Sequence, residues 1–258
     1  MIGLIYFLVI IFANALGAIS GMGGGVIIKP IFDFVGAHSV AAISFYSSVA
    51  VFTMAIVSTL RQLKSGLRMD WKALGWISFG AVAGGFLGNI ALDYFLTIFN
   101  EKKVNLIQII LTVLTLLFAF FYTKYDWKNF RLINISWYVV SGLVLGFLAS
   151  LLGIGGGAIN VSLLMLMFSM PIKEATVYSI GTIFFSQLAK ILTIAGTTGF
   201  SRFDLTMLYF VVPAAVLGGL LGTNLSIIFS PKRVTTVFQG IIFLVLLINV
   251  YNAWQLFY

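Results

Sequence analysis

Two runs of glycine interrupt long apolar stretches at equivalent places in the two halves of the chain. The first glycine motif, Gly-Met-Gly-Gly-Gly, occupies residues 21–25, and the second, Gly-Ile-Gly-Gly-Gly, occupies residues 153–157, a shift of 132 (21 to 153). Each glycine in a helix costs about 1 kcal/mol relative to alanine, so these runs should break a helix. Such paired breaks in the two halves of a membrane protein indicate a transporter's binding site.

The composition is that of a membrane protein. Of 258 residues, 61% are hydrophobic and 9% are charged, whereas soluble proteins have about 25% charged residues. The net charge of +8 does not indicate nucleic acid, because the basic residues lie mostly in short loops and orient a membrane protein. With no cysteine and only His38, disulfides and thiolate chemistry are excluded, and we expect no metal and no cofactor.

We therefore expect a multi-pass integral protein of a bacterial cytoplasmic membrane, with the lipid bilayer as its surroundings. A helical span needs about 20 apolar residues. The segments 3–36 and 135–170 carry the glycine motifs, and we predict an all-α fold in which each half has one such broken, re-entrant segment and three transmembrane helices. The six predicted spans lie near residues 40–60, 72–96, 104–123, 175–198, 205–229 and 235–257.

Further landmarks recur at nearly the same spacing and indicate an internal duplication. The glycines at 84, 85 and 88 recur at 218, 219 and 222, a shift of 134 (84 to 218), and Arg68 and Asp70 correspond to Arg202 and Asp204. The six glycines have helical spacing, for which packing contacts are the preferred interpretation. The predicted organisation is a first repeat over 1–123, a connecting loop over 124–131 and a second repeat over 132–258.

Loop charges favour halves of opposite orientation. The 61–72 and 124–131 loops are basic and two spans apart, so both can be cytoplasmic. If 135–170 turns back, the basic pair at 232–233 is also cytoplasmic; if it crosses, that pair lies outside and Arg202 lies inside. The first arrangement fits better and predicts inverted repeats. Parallel repeats with eight full spans are the alternative.

The chemistry of the glycine motifs suits an anion. The runs 26–35 and 158–168 are predicted half-helices, whose first turns have free N–H groups and the positive end of the helix dipole. Glycine lets a ligand approach this backbone closely, which makes an anion site without a charged side chain. The alternative is tight packing. The predicted binding residues here are Gly23, Gly24, Gly25, Gly155, Gly156 and Gly157.

Lys190 lies within an apolar helix and has no acidic neighbour. An ionisable residue at such depth costs about 2.5–3.5 kcal/mol and normally faces a cavity or a partner. Hydroxyl, amide and ammonium donors suit sulfonate, sulfite or carboxylate oxygens. The alternative is a snorkelling lysine beside hydroxyls bonded to their own helix. The polar side chains predicted to line the site with Lys190 are Ser179, Thr182, Ser186 and Gln187 of its helix, and Ser44, Ser47 and Ser48 of the corresponding helix.

Two further residues follow the glycine motifs. Lys29 lies four residues before Asp33, a spacing that permits an ion pair, so a structural pair and a substrate-binding lysine are both open. Asn160 precedes Val161, the counterpart of Lys29 at the shift of 132. Asn160 could donate to a ligand or bridge helices. Both are included among the predicted substrate-binding residues.

At these motifs the chain resembles the sulfite exporter TauE/SafE family of membrane permeases, over essentially its whole length. The resemblance rests on the first motif followed by Pro30, its weaker copy with Ser162 in place of the proline, the segment 41–48, and the Gly66–Arg68–Asp70 turn before the glycines at 84–88. It implies a carrier of small sulfur-containing or organic anions such as sulfite, sulfonates or sulfoacetate. Lys29 and Lys190 match no general family position and are expected to tune the substrate.

The predicted function is a secondary transporter for such an anion, bound between half-helix N-termini near the bilayer midplane. A passive anion channel and a non-transporting subunit of a complex are the alternatives. An enzyme is not expected, since the spans have no paired aspartates, Ser/His pair or metal cluster. Proton coupling usually needs Asp, Glu or His within the spans, for which only Asp33 and His38 are candidates. The anion, the direction, the coupling ion and the oligomeric state stay open.

Overall fold

The computed structural model describes residues 2–64, 70–125 and 127–257, and within them it consists of helices and connecting turns. Gly66 and Arg68, part of the predicted turn, lie outside the described residues. The helices are α1 (Ile2–Ser20), α2 (Gly25–Val35), α3 (Val40–Lys64), α4 (Trp71–Ile98), α5 (Glu101–Lys124), α6 (Ile135–Leu151), α7 (Ala158–Phe168), α8 (Ile172–Gly196), α9 (Leu208–Ile228, preceded by a 3-10 turn at Leu205–Met207) and α10 (Pro231–Phe257).

Seven helices of the described residues are long and apolar enough to cross a membrane. They are the six predicted spans (α3, α4, α5, α8, α9 with its 3-10 turn, and α10) and also α1, whose 19 residues run unbroken to Ser20. The apolar helices α6 and α7 are shorter, with 17 and 11 residues. The prediction of an all-α, polytopic membrane protein is confirmed.

Local sequence signals explain where several helices begin and end. The Asp70 carboxylate accepts hydrogen bonds from the N–H groups of Lys72 and Ala73 and so caps α4. Asp204 does the same before α9, where hydrogen bonds from the Thr206 hydroxyl and N–H lower the pKa of its carboxyl. Gly36 ends α2 with φ at 64°, a conformation that glycine adopts without strain.

Each glycine motif joins two helices of a hairpin. The Tyr6 hydroxyl, near the start of α1, shares a 2.9 Å hydrogen bond with Nδ1 of His38, just past the end of α2. In the second half, the Phe130 N–H, shortly before α6, donates to the Leu166 carbonyl near the end of α7 at 2.7 Å. In both pairs, α1–α2 and α6–α7, the outer ends lie side by side. That each hairpin enters and leaves the bilayer on one side stays a prediction.

Two reciprocal contacts set the direction of the central helices. The Tyr46 hydroxyl, near the start of α3, donates to the Asp204 carbonyl at 3.0 Å, beyond the end of α8. The Tyr178 hydroxyl, near the start of α8, accepts from the Asp70 N–H at 2.8 Å, beyond the end of α3. Since the start of each helix lies beside the segment that follows the other, α3 and α8 run antiparallel. The correspondence of the two aspartates was predicted from the sequence, whereas the contacts of the two tyrosines were not.

The halves interlock through glycine-lined helix contacts. Helix α1 packs against α9, and its counterpart α6 packs against α4. A methyl group added at Gly84 would overlap the carbonyl oxygen of Leu143, and one at Gly222 would overlap that of Ala15. The packing interpretation of these glycines is confirmed, since only a missing side chain allows such an approach. Neighbouring backbone likewise faces Gly85, Gly88, Gly218 and Gly219.

We expect Tyr46→Phe and Tyr178→Phe each to lower stability by about 0.5–1.5 kcal/mol, the net value of one hydrogen bond. The two contacts are separate, so the double variant should show the sum of the two losses. Thermal unfolding of the purified protein in detergent measures this. Tyr209→Phe, at a side chain that is 81% exposed, is the matched control. If the two single variants and the double variant unfold at the same midpoint temperature as Tyr209→Phe and the unchanged protein, the reciprocal contacts are contradicted.

Candidate functional site

The two glycine motifs touch each other in the interior. All ten of their residues are buried. A methyl group on Gly25 would overlap the carbonyl oxygen of Ile154 in the other motif, and one on Gly156 would lie 2.8 Å from the Met22 carbonyl oxygen. The contact is therefore made by bare backbone of both halves. It puts the first turns of α2 and α7 at one place in the fold.

The backbone of the two motifs is matched at the first two pairs of glycines but not at the third, where φ is −68° at Gly24 and 153° at Gly156. φ is 75° at Gly21 and 68° at its counterpart Gly153, and it is 76° at Gly23 and 66° at Gly155. Residues with a side chain rarely adopt these angles. The helices break where the sequence predicted, with α1 ending at residue 20 and α6 at residue 151.

Lys190 is the most deeply buried cation of this region. Its side chain extends from α8 and is 1% exposed. The Nζ atom donates to the Ser44 hydroxyl at 2.6 Å and to the Ser150 carbonyl at 3.2 Å. No carboxylate of the described residues lies within ion-pair distance of it. A charged ammonium at this place would lack a counter-ion, which is costly, so Lys190 stays a candidate for binding an anion.

Lys29 reaches the same place from α2. Its Nζ atom is paired with Asp33 at 2.5 Å and donates to the Asn105 amide oxygen at 3.3 Å. A methyl group on Gly153 would lie 3.4 Å from the Lys29 Cε atom and 2.7 Å from the Ser44 hydroxyl oxygen, which also binds Lys190. Two lysines from different halves thus converge on the second glycine motif. The ion pair that the spacing permits is present.

The hydroxyl side chains predicted to line the site bond mainly to their own helices. The hydroxyls of Ser48, Thr182 and Ser186 each donate to a carbonyl of the same helix, at 2.7, 2.8 and 3.1 Å. Ser179 instead donates to the Gly21 carbonyl at 2.6 Å and so supports the first motif. The protons of these four hydroxyls are therefore occupied, and only their oxygen lone pairs remain for further bonds.

Three other predicted residues have buried polar atoms without a hydrogen-bond partner. These are the Ser47 hydroxyl, both amide atoms of Asn160, and the amide oxygen of Gln187. Ser47 faces Gly25 at the start of α2, with its oxygen 2.8 Å from the place of an added methyl group, and Asn160 lies in the first turn of α7. Leaving such a group unpaired costs about 1–3 kcal/mol. Each of these atoms can form a hydrogen bond with a bound small polar molecule or with water.

Three residues of this region were not predicted from the sequence. Asn14 of α1 lies against Gly24 and donates to the Ala50 carbonyl at 3.2 Å. Asn105 of α5 and Ser150 of α6 hold Lys29 and Lys190. A single polar residue in an otherwise apolar span was the available signal, most clearly for Asn14.

Comparison with known proteins identifies the family. The sequence profile of the family described as "Sulfite exporter TauE/SafE" matches residues 6–248. The chain belongs to this family. Similar proteins are a probable membrane transporter protein of Methanocaldococcus jannaschii, 24% identical over 241 residues that cover 88% of this chain and 87% of the relative, and the probable membrane transporter protein YunE of Bacillus subtilis, 26% identical over 260 residues (90% and 92%). No solved structure gives a significant match.

The family and the seven apolar helices together identify the chain as a multi-pass membrane transporter, and the expectation that it is no enzyme is confirmed. Within this TauE/SafE member, two buried lysines, Lys29 and Lys190, lie near the second motif, and among the described residues Asp33 is the carboxylate within ion-pair distance of either, bound to Lys29. Lys190 therefore has no direct counter-ion in the part of the chain that the structure describes, and Asp93 pairs with Arg202 instead. The adjoining N-termini of α2 and α7 add positive dipole ends.

Proposed function

We propose that the protein is a secondary transporter of a small sulfur-containing or organic anion, such as sulfite or a sulfonate. The anion would bind where the two glycine motifs meet. The observation that carries this proposal is the convergence of Lys29 and Lys190 on Gly153, where Asp33 is the only ion-pair partner that either lysine has among the described residues. An anion would give Lys190 the direct counter-ion that it lacks, in a region where an unpaired ion is costly.

The residues around the motifs have different roles in this proposal. Lys190 is the principal cation, because its Nζ atom is held only by the uncharged oxygens of Ser44 and Ser150. The Ser47 hydroxyl and the Asn160 amide are the neutral donors, since both lack a partner. The glycines allow the anion to reach the first N–H groups of α2 and α7.

The antiparallel course of α3 and α8 supports inverted repeats. The segments around the end of α5 and the start of α10 lie together, since the Gln239 amide donates to the Thr123 carbonyl at 3.2 Å. This puts the basic pair at 232–233 on the same side as Lys124, as expected for a cytoplasmic face. Rocking of the two halves about the motif contact would then expose the anion first to one side and then to the other.

The buried contact between the motifs favours a carrier over a channel. A channel needs a continuous polar path, whereas here both motifs are buried and pressed together through Gly25 and Ile154. Such a closed centre is one state of an alternating-access cycle.

The proposal is tested with purified protein in liposomes and labelled sulfite and methanesulfonate. We expect saturable uptake that accelerates when the same unlabelled anion is present inside the vesicles. The reason is that the binding site of a carrier returns to the outer side faster when it carries an anion than when it is empty. Protein-free liposomes are the control. Uptake that rises linearly with concentration, with no effect of internal anion, would indicate a channel. Uptake no higher than in protein-free liposomes for either anion would contradict the proposed function.

A further inference from the structure

A pocket of about 190 Å³ leads from the surface to the Lys29–Asp33 ion pair. Its wall includes Asp33 and Asn105, the two residues that hold the Lys29 Nζ atom. The exposed side chains of Glu101 and Lys102 lie at its rim. Beyond the pair, Lys29 passes Gly153 and the Ser44 hydroxyl that binds Lys190. An anion that enters through this pocket therefore meets the ion pair before it meets Lys190.

Asp33 has the features of a replaceable counter-ion. Its side chain is 4% exposed, and so is that of Lys29. One carboxylate oxygen, Oδ2, binds Lys29, while Oδ1 is buried and has no hydrogen-bond partner. A carboxylate in such surroundings is costly once it loses its cation, whereas a protonated carboxyl group is neutral. An anion can therefore take over Lys29 at low cost only if Asp33 gains a proton.

We propose that Asp33 is the proton-binding group of this transporter and that one proton binds to it with each anion that displaces it from Lys29. Before binding, the pair consists of an ammonium and a carboxylate; after binding, the ammonium pairs with the anion and the carboxyl is neutral. The net charge of the site is unchanged for an anion of charge −1. The inference rests on the proposed anion transport and adds the coupling ion to it.

The groups that face this site come from several elements. His38 of the α2–α3 turn lines the same pocket and binds the Tyr6 hydroxyl of α1. From α3, the Tyr46 ring contacts His38 with centroids 5.3 Å apart, and α10 contributes the Asn252 amide, which donates to the Pro30 carbonyl. Because His38 also binds protons, it is the competing source of any proton uptake. The charged groups nearest Asp33 are Lys29 on α2, Glu101 and Lys102 on α5, and, further inward, Lys190 on α8.

The test counts the protons taken up when an anion binds. Binding of methanesulfonate and of sulfite to the purified transporter is measured by titration calorimetry in Tris and in imidazole buffer, neither of which contains a sulfonate. The difference in heat between the two buffers gives the number of protons taken up per anion. The variants are Asp33→Asn, His38→Gln and Glu174→Gln. Glu174 lies in the first turn of α8, at the far end of the protein, and its replacement is the control that also removes a carboxylate.

We expect uptake of about one proton per methanesulfonate by the unchanged protein, by His38→Gln and by Glu174→Gln, because the sulfonate itself stays ionised. Asp33→Asn should bind the anion with no proton uptake. Sulfite itself gains and loses protons near neutral pH, so its proton uptake is compared between two proteins. The unchanged protein should take up one proton more per bound sulfite than Asp33→Asn does.

Binding of methanesulfonate or sulfite by the unchanged protein without this uptake would overturn the coupling and leave the anion site intact. Loss of uptake in His38→Gln with retention in Asp33→Asn would assign the proton to the histidine and also overturn it. If neither anion binds at all, the proposed function itself is wrong. The number of protons taken up by the unchanged protein is measured without any variant, so poor folding of Asp33→Asn does not block the test.

Discussion

Replacement of Gly25 by alanine is expected to lower the free energy of unfolding by about 3 kcal/mol or more, because the added methyl group has no space. It would overlap the carbonyl oxygen of Ile154 and approach the Ser47 hydroxyl oxygen to 2.8 Å. A carbonyl of the backbone cannot turn aside as a side chain can, so the two glycine motifs would be forced apart. Transport should be lost together with thermal stability, since the motif contact forms the proposed site.

The controls for Gly25→Ala are Gly75→Ala in α4 and Gly240→Ala in α10, where an added methyl group would have no atom within 4 Å beyond the neighbouring backbone of its own helix. Both should match or exceed the unchanged protein in thermal midpoint, because alanine favours a helix by up to about 1 kcal/mol over glycine. The comparison is made by thermal unfolding in detergent. A Gly25→Ala midpoint equal to those of the controls would show that the motifs do not touch as described.

Replacement of Lys190 by methionine should reduce anion uptake at least about ten-fold, equivalent to about 1.4 kcal/mol of lost anion stabilisation. The same variant should unfold at an unchanged or higher temperature. Methionine fills a similar volume, and the buried ammonium that it removes has no carboxylate partner in the described residues. The opposite signs of the two effects distinguish a substrate-binding lysine from a structural one.

Lys103→Met, at an exposed position in the first turn of α5, is the matched control and should change neither uptake nor stability. Uptake is measured in liposomes with equal amounts of inserted protein. If Lys190→Met transports at the normal rate, the lysine has no part in anion binding. A large loss of stability would instead indicate that its bonds to Ser44 and Ser150 hold the fold together.

Much of the helical framework follows from local sequence. The apolar lengths predicted six spans close to the observed helices, and the glycine runs predicted where α2 and α7 begin. These features depend on neighbouring residues and on the bilayer, which requires that backbone groups pair within each helix. The structure added α1 as a further helix of spanning length, since the apolar run before residue 20 is continuous.

The site was only partly predictable. The spacing of Lys29 and Asp33 permitted their ion pair, and both lysines were recognised as unusual. The hydroxyl side chains were ambiguous, because a serine or threonine in a helix can bind a ligand or donate to a carbonyl of the preceding turn. Thr182 and Ser186 make the latter in this conformation. Whether the predicted residues bind substrate stays a prediction.

The sequence by itself determined the family, the membrane location and the breaks of two apolar helices by glycine, because composition and backbone preference act locally. Only the tertiary structure decided that the motifs touch and that Lys29 and Lys190 meet at Gly153. These groups are far apart in the chain, and their distance depends on how α1 packs on α9 and α6 on α4. The spacing of the glycines predicted packing contacts, but which helices meet at them depends on the whole fold and is specified by no local pattern.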